Sequence, residues 1–224
     1  MSERYVPIFM TGSFLRCLIV GGGIVAERKT ATLLNAGATV NVVSPTLTPA
    51  LSAWKERGEI EWTKDLFRTS HLKGATMVIG ATNDTAVNER VFKDSCRLGI
   101  PVNIVDDPEH CTFIVPSVLK KGPFQVAVST GGAAPALAAR LRRDIEALIS
   151  DEHVCMANEL KKMRPAIKRL DAAAKERFWR SALSLCVSSY KGKSASLKKR
   201  LRTELKTSSS VVVPVRAHKG GPKR

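Results

Sequence analysis

The sequence predicts an α/β fold, a parallel sheet layered with helices, followed by a strand-helix segment and a helical C-terminal region. Three observations predict it. Short β-branched runs alternate with helical spacing as far as residue 113. A glycine turn joins the first strand directly to the first helix. Beyond residue 128 the strand signals stop while charged, helical spacing continues.

Residues 16–20 form an apolar run that leads straight into Gly21, Gly22 and Gly23. Residues 24–34 have helical spacing, and Asn35, Ala36 and Gly37 stop them. Residues 38–43 alternate as a β-branched strand closed by Ser44 and Pro45. Residues 49–57 predict a second helix ended by Gly58, and residues 60–62 a short strand. A further strand spans residues 75–80, followed by Ala81, Thr82, Asn83 and Asp84 and a helix over 85–97 that Gly99 breaks. Residues 101–105 make one more strand. Residues 124–128 read as an isolated strand, and 135–149 as a helix bearing Arg140, Arg142 and Arg143. The resulting division is a nucleotide-binding domain at 1–113, a strand-helix segment at 114–150, a helical domain at 151–190 and a basic, disordered tail at 191–224.

The tail follows from charge. The formal net charge is +16, and eleven Lys/Arg fall in residues 191–224 against one acid, Glu204. Such a stretch, with Ser208, Ser209 and Ser210 in it, reads as solvated chain. It contains no Phe, Trp or Tyr, so base stacking on it is excluded and no specific nucleic-acid partner is expected. Apolar runs such as residues 17–20 are far short of the roughly 20 residues that span a membrane. The first residues show no basic stretch before an apolar core, so no signal peptide is expected. Five cysteines are scattered without a CxxC pair, which reads as reduced thiols of a cytoplasmic protein and gives no zinc site. His71, His153 and His218 read as surface residues, and Met156 and Met163 as helix packing.

Gly21, Gly23 and Ala26 fit G-x-G-x-x-G/A, and they do so after a strand, at the opening of a helix and within a βαβ unit. This is the Rossmann dinucleotide-binding context. Glycine permits the tight turn and close approach of a pyrophosphate, and the helix N-terminus offers free N–H groups. Gly21, Gly22, Gly23, Ile24 and Val25 are therefore candidate cofactor contacts. The second strand ends Val43, Ser44, Pro45, without the Asp or Glu that usually holds the ribose hydroxyls. Ser44 and Pro45 take that position, no Arg follows to grip a 2′-phosphate, and NAD is favoured over NADP. Thr82 lies where such sheets hold ligands, at the carboxyl ends of the strands.

Several motifs in one order add specificity. Pro7-Ile8-Phe9, LIVGGGIVAERK at 18–29, Asn103-Ile104-Val105-Asp106, TFIVPS at 112–117, VAVSTGG at 126–132 and Phe178-Trp179 together resemble the precorrin-2 dehydrogenase family, whose members also form the N-terminal module of siroheme synthases. The resemblance spans about residues 5–180. It implies a homodimer, NAD as cofactor and the two-electron oxidation of precorrin-2 to sirohydrochlorin. Some relatives also insert ferrous iron, which makes iron a possible second substrate. No methyltransferase domain is visible, so the preceding methylation is expected of another protein.

Asp106 matches the family's catalytic aspartate, and a carboxylate near the nicotinamide can take the proton that this oxidation releases. Its bland alternative is an Asx turn before Pro108. Asp107 reads as a turn former. Asn103, Ser129, Thr130 and Gly131 are candidate substrate contacts, although Ser129 or Thr130 could equally cap the helix that begins at Pro135. Lys120, Lys121, Arg140 and Arg143 are candidate cations for the carboxylates of the substrate. His110-Cys111 lacks further ligands at metal-site spacing. The rival reading is a non-catalytic NAD-binding sensor, which would bind nucleotide without turnover.

Overall fold

The structure is a computed structural model that describes residues 5–210 apart from residue 186. Five parallel strands form one sheet: β1 Arg16–Val20, β2 Thr39–Val43, β3 Glu61–Thr63, β4 Met77–Gly80 and β5 Val102–Ile104, in the order β3-β2-β1-β4-β5. Helices α1 Ile24–Asn35, α2 Pro49–Glu56 and α3 Thr85–Arg97 connect them. The strands are apolar on both faces because both are covered. Cys17, Ile19, Val40, Val42 and Ile79 pack with Ala26 of α1 and Leu51 of α2. Leu18, Val20, Val43, Val78, Val102 and Ile104 pack with Phe67, Leu72 and Val91 on the opposite side. This doubly wound arrangement matches the predicted fold class.

Local chemistry sets the helix starts. Thr48 caps α2 by accepting from the Leu51 N–H at 3.3 Å, with Pro49 in the first turn. Asp84 caps α3, accepting from the N–H groups of Ala86 and Val87 at 2.9 and 3.1 Å. β1 has the expected bounds, β3 is shifted by one residue, and β2, β4 and β5 are shorter than expected by one or two residues at an end, where pairing stops.

The chain divides into two compact units. The first contains the residues up to Val115 with Thr130–Ala134; the second contains Pro116–Ser129 and continues from Pro135. In the second unit, β6 Ser117–Lys121 and β7 Phe124–Val128 form an antiparallel pair beside α4 Pro135–Leu148. Residues 124–128 are thus not an isolated strand. Their partner was obscured because Lys120 and Lys121 break the β-branched pattern; Gly122, at φ 57°, makes the turn between the two.

Helices α5 Asp151–Arg169, α6 Ala172–Leu183 and α7 Ser194–Ser210 follow. The tail expectation fails over α7. Leu197 and Leu201 are fully buried against Met156, Met163, Ile167, Phe178 and Ala182. Charge also closes inward: Glu159, 2% exposed, receives the Arg202 guanidinium through Nε at 2.8 Å and Nη2 at 2.6 Å. Buried Glu204 pairs with Arg200 at 2.6 Å and accepts from the Ser181 hydroxyl. The basic composition that suggested solvation in part neutralises buried acids, and leucines spaced four apart supply the apolar face. Residues 211–224, His218 among them, and Cys186 lie outside the described residues. Met156 and Met163 are packing residues, as expected. No helix among the described residues is long and apolar enough to cross a membrane.

Candidate nucleotide and active site

The carboxyl ends of β1, β2 and β4 open onto a groove of about 500 Å³. Gly21, Gly22 and Gly23 form its floor, Ser44 and Pro45 one wall, and Thr82, Asn83 and Asp84 the other. It lies where β1, with β2 on one side and β4 on the other, makes the topological switch of an open α/β sheet.

The three glycines have separate reasons. Gly21 has φ 118°, and a Cβ there would lie 2.3 Å from the Ala81 carbonyl oxygen. Its N–H donates to the Val43 carbonyl at 2.9 Å, tying the turn to β2. A Cβ on Gly22 would meet the Thr46 oxygen at 1.9 Å and Ser44 Oγ at 2.6 Å. A Cβ on Gly23 would meet nothing within 4 Å, and Gly23 caps α1 without a side chain. Open space at an uncapped helix N-terminus is the setting that accepts a pyrophosphate, so the residues present fit a dinucleotide. Ile24 and Val25 belong to the first turn of α1, with Ile24 strongly exposed; the groove itself is bounded by the glycines.

Ser44 is 3% exposed and donates its hydroxyl to the Thr46 carbonyl at 2.7 Å. It shapes the loop, and its one donor is already committed. Thr82 Oγ1 bonds with Asn88 Oδ1 at 2.9 Å, and Asn88 Nδ2 returns to the Thr82 carbonyl at 3.0 Å. Asn88 was missed in the sequence because a single polar residue inside an amphipathic helix carries no local signal of such a contact.

Asp106 follows β5 at the same edge of the sheet. It has φ 61°, in the left-handed region that an Asp visits at a cost of roughly 1–2 kcal/mol. Among the described residues its exposed carboxylate makes no hydrogen bond. The loop beneath it is pinned at many points. Asn103, buried, donates its amide to Cys111 Sγ at 3.2 Å and to the Phe113 carbonyl at 3.0 Å. Thr112 Oγ1 accepts from the Val102 N–H at 2.8 Å. His110 Nδ1 lies 2.7 Å from Asp107 Oδ2, and the His110 ring stacks edge-on to Phe92 at 4.8 Å. Backbone strain persists where the surroundings over-determine it. Asn103 is therefore a clamp below Asp106, with its amide donors engaged inside the protein. Half-buried Lys29 on α1 has its pKa lowered by burial and by Arg28, while the charges of Asp106 and Cys111 act in the opposite direction.

Thr130 Oγ1 accepts from the Ala134 N–H at 2.9 Å, the capping alternative. Gly131 and Gly132 both have positive φ, and Ser129 is exposed. Lys121 donates to the Ile149 carbonyl at 2.5 Å, and Arg140 pairs with Asp144 at 3.0 Å, whereas Lys120 and Arg143 are exposed and form no ion pair among the described residues. His71 is half-buried rather than a plain surface residue: Nδ1 accepts from the Arg68 N–H at 3.1 Å. No group of three His, Cys, Asp or Glu among the described residues could hold a metal ion.

The fold and the groove define a Rossmann-type NAD(P)-binding protein. Comparison with known proteins agrees: an NAD(P)-binding family model matches residues 8–117, and the model of the sirohaem biosynthesis protein central region matches residues 121–148. The chain thus joins an NAD(P)-binding segment to a sirohaem-biosynthesis central segment, and over that span it is similar to siroheme synthases. The siroheme synthase of Methylobacillus flagellatus is 44% identical over 176 residues, 78% of this chain and 38% of that protein. That of Nitrosomonas eutropha is 41% identical over 182 residues, 80% of this chain and 38% of its own length. The chain thus spans about two fifths of the length of the curated relatives it matches. The solved structure of SirC, precorrin-2 dehydrogenase, shares the fold with a TM-score of 0.69 at 21% identity, covering 91% of this chain and all of that one.

Proposed function

We propose that this chain is an NAD-dependent dehydrogenase of siroheme biosynthesis, acting in the cytoplasm, that oxidises precorrin-2 to sirohydrochlorin. The observation that carries the reading is Asp106: an exposed carboxylate in a strained, many-times pinned loop, at the same sheet edge as a glycine-floored groove. The siroheme synthases among its relatives support the choice of substrate. The oxidation removes a hydride and a proton from the macrocycle, and bound NAD+ supplies the hydride acceptor. Asp106 takes the proton. The pinned loop keeps the carboxylate exposed against its backbone strain, and the Asn103 clamp fixes that loop while the proton moves. Gly23 and the first turn of α1 receive the pyrophosphate. Gly131, exposed and at a positive φ, is the contact this unit offers to a substrate carboxylate.

The active form is a homodimer. Val118, Leu137, Leu141 and Leu148, all exposed on β6 and α4, supply an apolar face suited to a second copy.

The test is anaerobic incubation of precorrin-2 with NAD+ and the protein, followed by absorbance spectra. Wild type should form sirohydrochlorin, and Asp106→Ala should lose at least about a hundredfold in rate while still binding NAD. Added ferrous iron then reads whether the product is also metallated. A folded, NAD-binding wild type that oxidises nothing would overturn the proposal in favour of a sensor.

A further inference from the structure

We propose that Asp65 supplies the ribose-recognising carboxylate that β2 lacks, and so selects NAD over NADP in this chain. The inference rests on the nucleotide-binding reading of the groove. In the usual arrangement an acid at the end of the second strand accepts hydrogen bonds from the adenosine ribose and repels a 2′-phosphate. Here that place holds Ser44, whose hydroxyl already serves the Thr46 carbonyl.

The neighbouring strand offers the replacement. β3 pairs with β2 in parallel register, Val43 opposite Thr63, and Asp65 follows Thr63 by two residues. Two hydrogen bonds tie the two strand ends together, Ser44 N–H to the Thr63 carbonyl at 3.2 Å and Trp62 Nε1–H to the Ser44 carbonyl at 3.0 Å, while the Asp65 N–H turns back onto the Thr63 carbonyl at 2.9 Å. Asp65 is accordingly held beside Ser44 and Pro45, in the wall of the same groove.

Its side chain is oriented and still has acceptor capacity. Oδ1 accepts from the Leu66 N–H at 2.8 Å and from Arg68 Nη2 at 3.1 Å. Oδ2 lies 3.8 Å from His71 Nε2, beyond hydrogen-bond distance. A carboxylate has about four acceptor positions, and Oδ1 accounts for the two bonds made here. With the side chain 30% exposed, Oδ2 remains open to a ribose hydroxyl. The other carboxylate of the groove, Asp84, sits past β4, and its Oδ1 caps α3. Arg68 is the cation a 2′-phosphate would seek, and it is drawn onto Asp65 instead.

The experiment is equilibrium titration of the full chain with NAD and with NADP by calorimetry, for wild type, Asp65→Ala, Asp65→Asn and Arg68→Ala. Circular dichroism monitors folding. Wild type is expected to favour NAD, and Asp65→Ala to lower NAD affinity and shrink the NAD-to-NADP ratio by about tenfold to a hundredfold. Asp65→Asn keeps an acceptor for the Leu66 N–H, so it should preserve the loop while admitting NADP. An unchanged ratio in folded Asp65→Ala and Asp65→Asn overturns the inference and leaves the nucleotide reading intact. A wild type that prefers NADP, and loses that preference in Arg68→Ala, overturns it as well. A wild type that binds neither nucleotide sinks the nucleotide reading, and this inference with it.

Discussion

The glycine turn after β1 and the leucine face of α7 are both short stretches on which a whole unit depends, yet they carry their information differently. At the turn, one residue's identity and backbone conformation signal the constraint: Gly21 needs its φ of 118°. In α7, composition misleads. Leu197 and Leu201 matter only because Met163 and Phe178, distant in sequence, meet them, and the surrounding basic residues look like solvated chain until Glu159 and Glu204 are seen beneath them. A backbone constraint is written in one place, whereas a packing constraint is written in two.

The largest effect should come from the turn. Gly22→Ala places a Cβ against the Thr46 oxygen, and we expect NAD affinity to fall by more than about a hundredfold together with a lower melting temperature. Gly23→Ala sharpens the contrast, because nothing crowds that Cβ: melting should be unchanged while nucleotide affinity drops. Equal affinity for Gly23→Ala and wild type would mean that the pyrophosphate does not approach there.

Next in size is the leucine face. Leu201→Ala should cost about 2–5 kcal/mol in denaturant unfolding, against less than about 0.5 kcal/mol for exposed Lys199→Ala. Indistinguishable unfolding curves would return α7 to the status of a solvated tail.

A smaller effect tests the sheet core of the first unit. Burial pushes the Cys17 thiol from 9.0 up to about 11. A folded value above the unfolded one contributes stability that is present below pH 9.0 and is lost as pH rises toward about 11. The loss should approach about 2 kcal/mol at the top of that window. Unfolding curves at both ends of the window, with Cys17→Val as the variant without a thiol, should differ by that slope; parallel behaviour would remove the assignment. Smallest is Thr130→Ala, which deletes the acceptor for the Ala134 N–H and should cost about 1 kcal/mol without altering NAD binding.

These differences explain how much could be read in advance. The succession of the five sheet strands and their three helices, and the glycine loop, follow from local patterning and were legible, whereas the caps at Thr48 and Asp84 emerge only from the structure. The position of Asp106 just past a strand end was legible too. The pairing of β6 with β7 was hidden by Lys120 and Lys121, and the role of Asn103 by its side chain bonding to Cys111 and Phe113 after the chain has turned back. Ser44 looked like a ribose ligand because its partner, the Thr46 carbonyl, is backbone, which sequence does not distinguish. Asp65 was invisible for a related reason: it reaches the groove from β3, one strand away from where the motif looks.

The left-handed backbone at Asp106 has an evolutionary consequence. Glycine would occupy φ 61° with no side-chain penalty, so the fold would be more comfortable by roughly 1 kcal/mol without the aspartate. A descendant that kept this scaffold but abandoned proton chemistry would gain by drifting to glycine at 106. On the proton chemistry proposed above, aspartate at 106 would mark a working lineage, and glycine one that has relaxed into its own backbone.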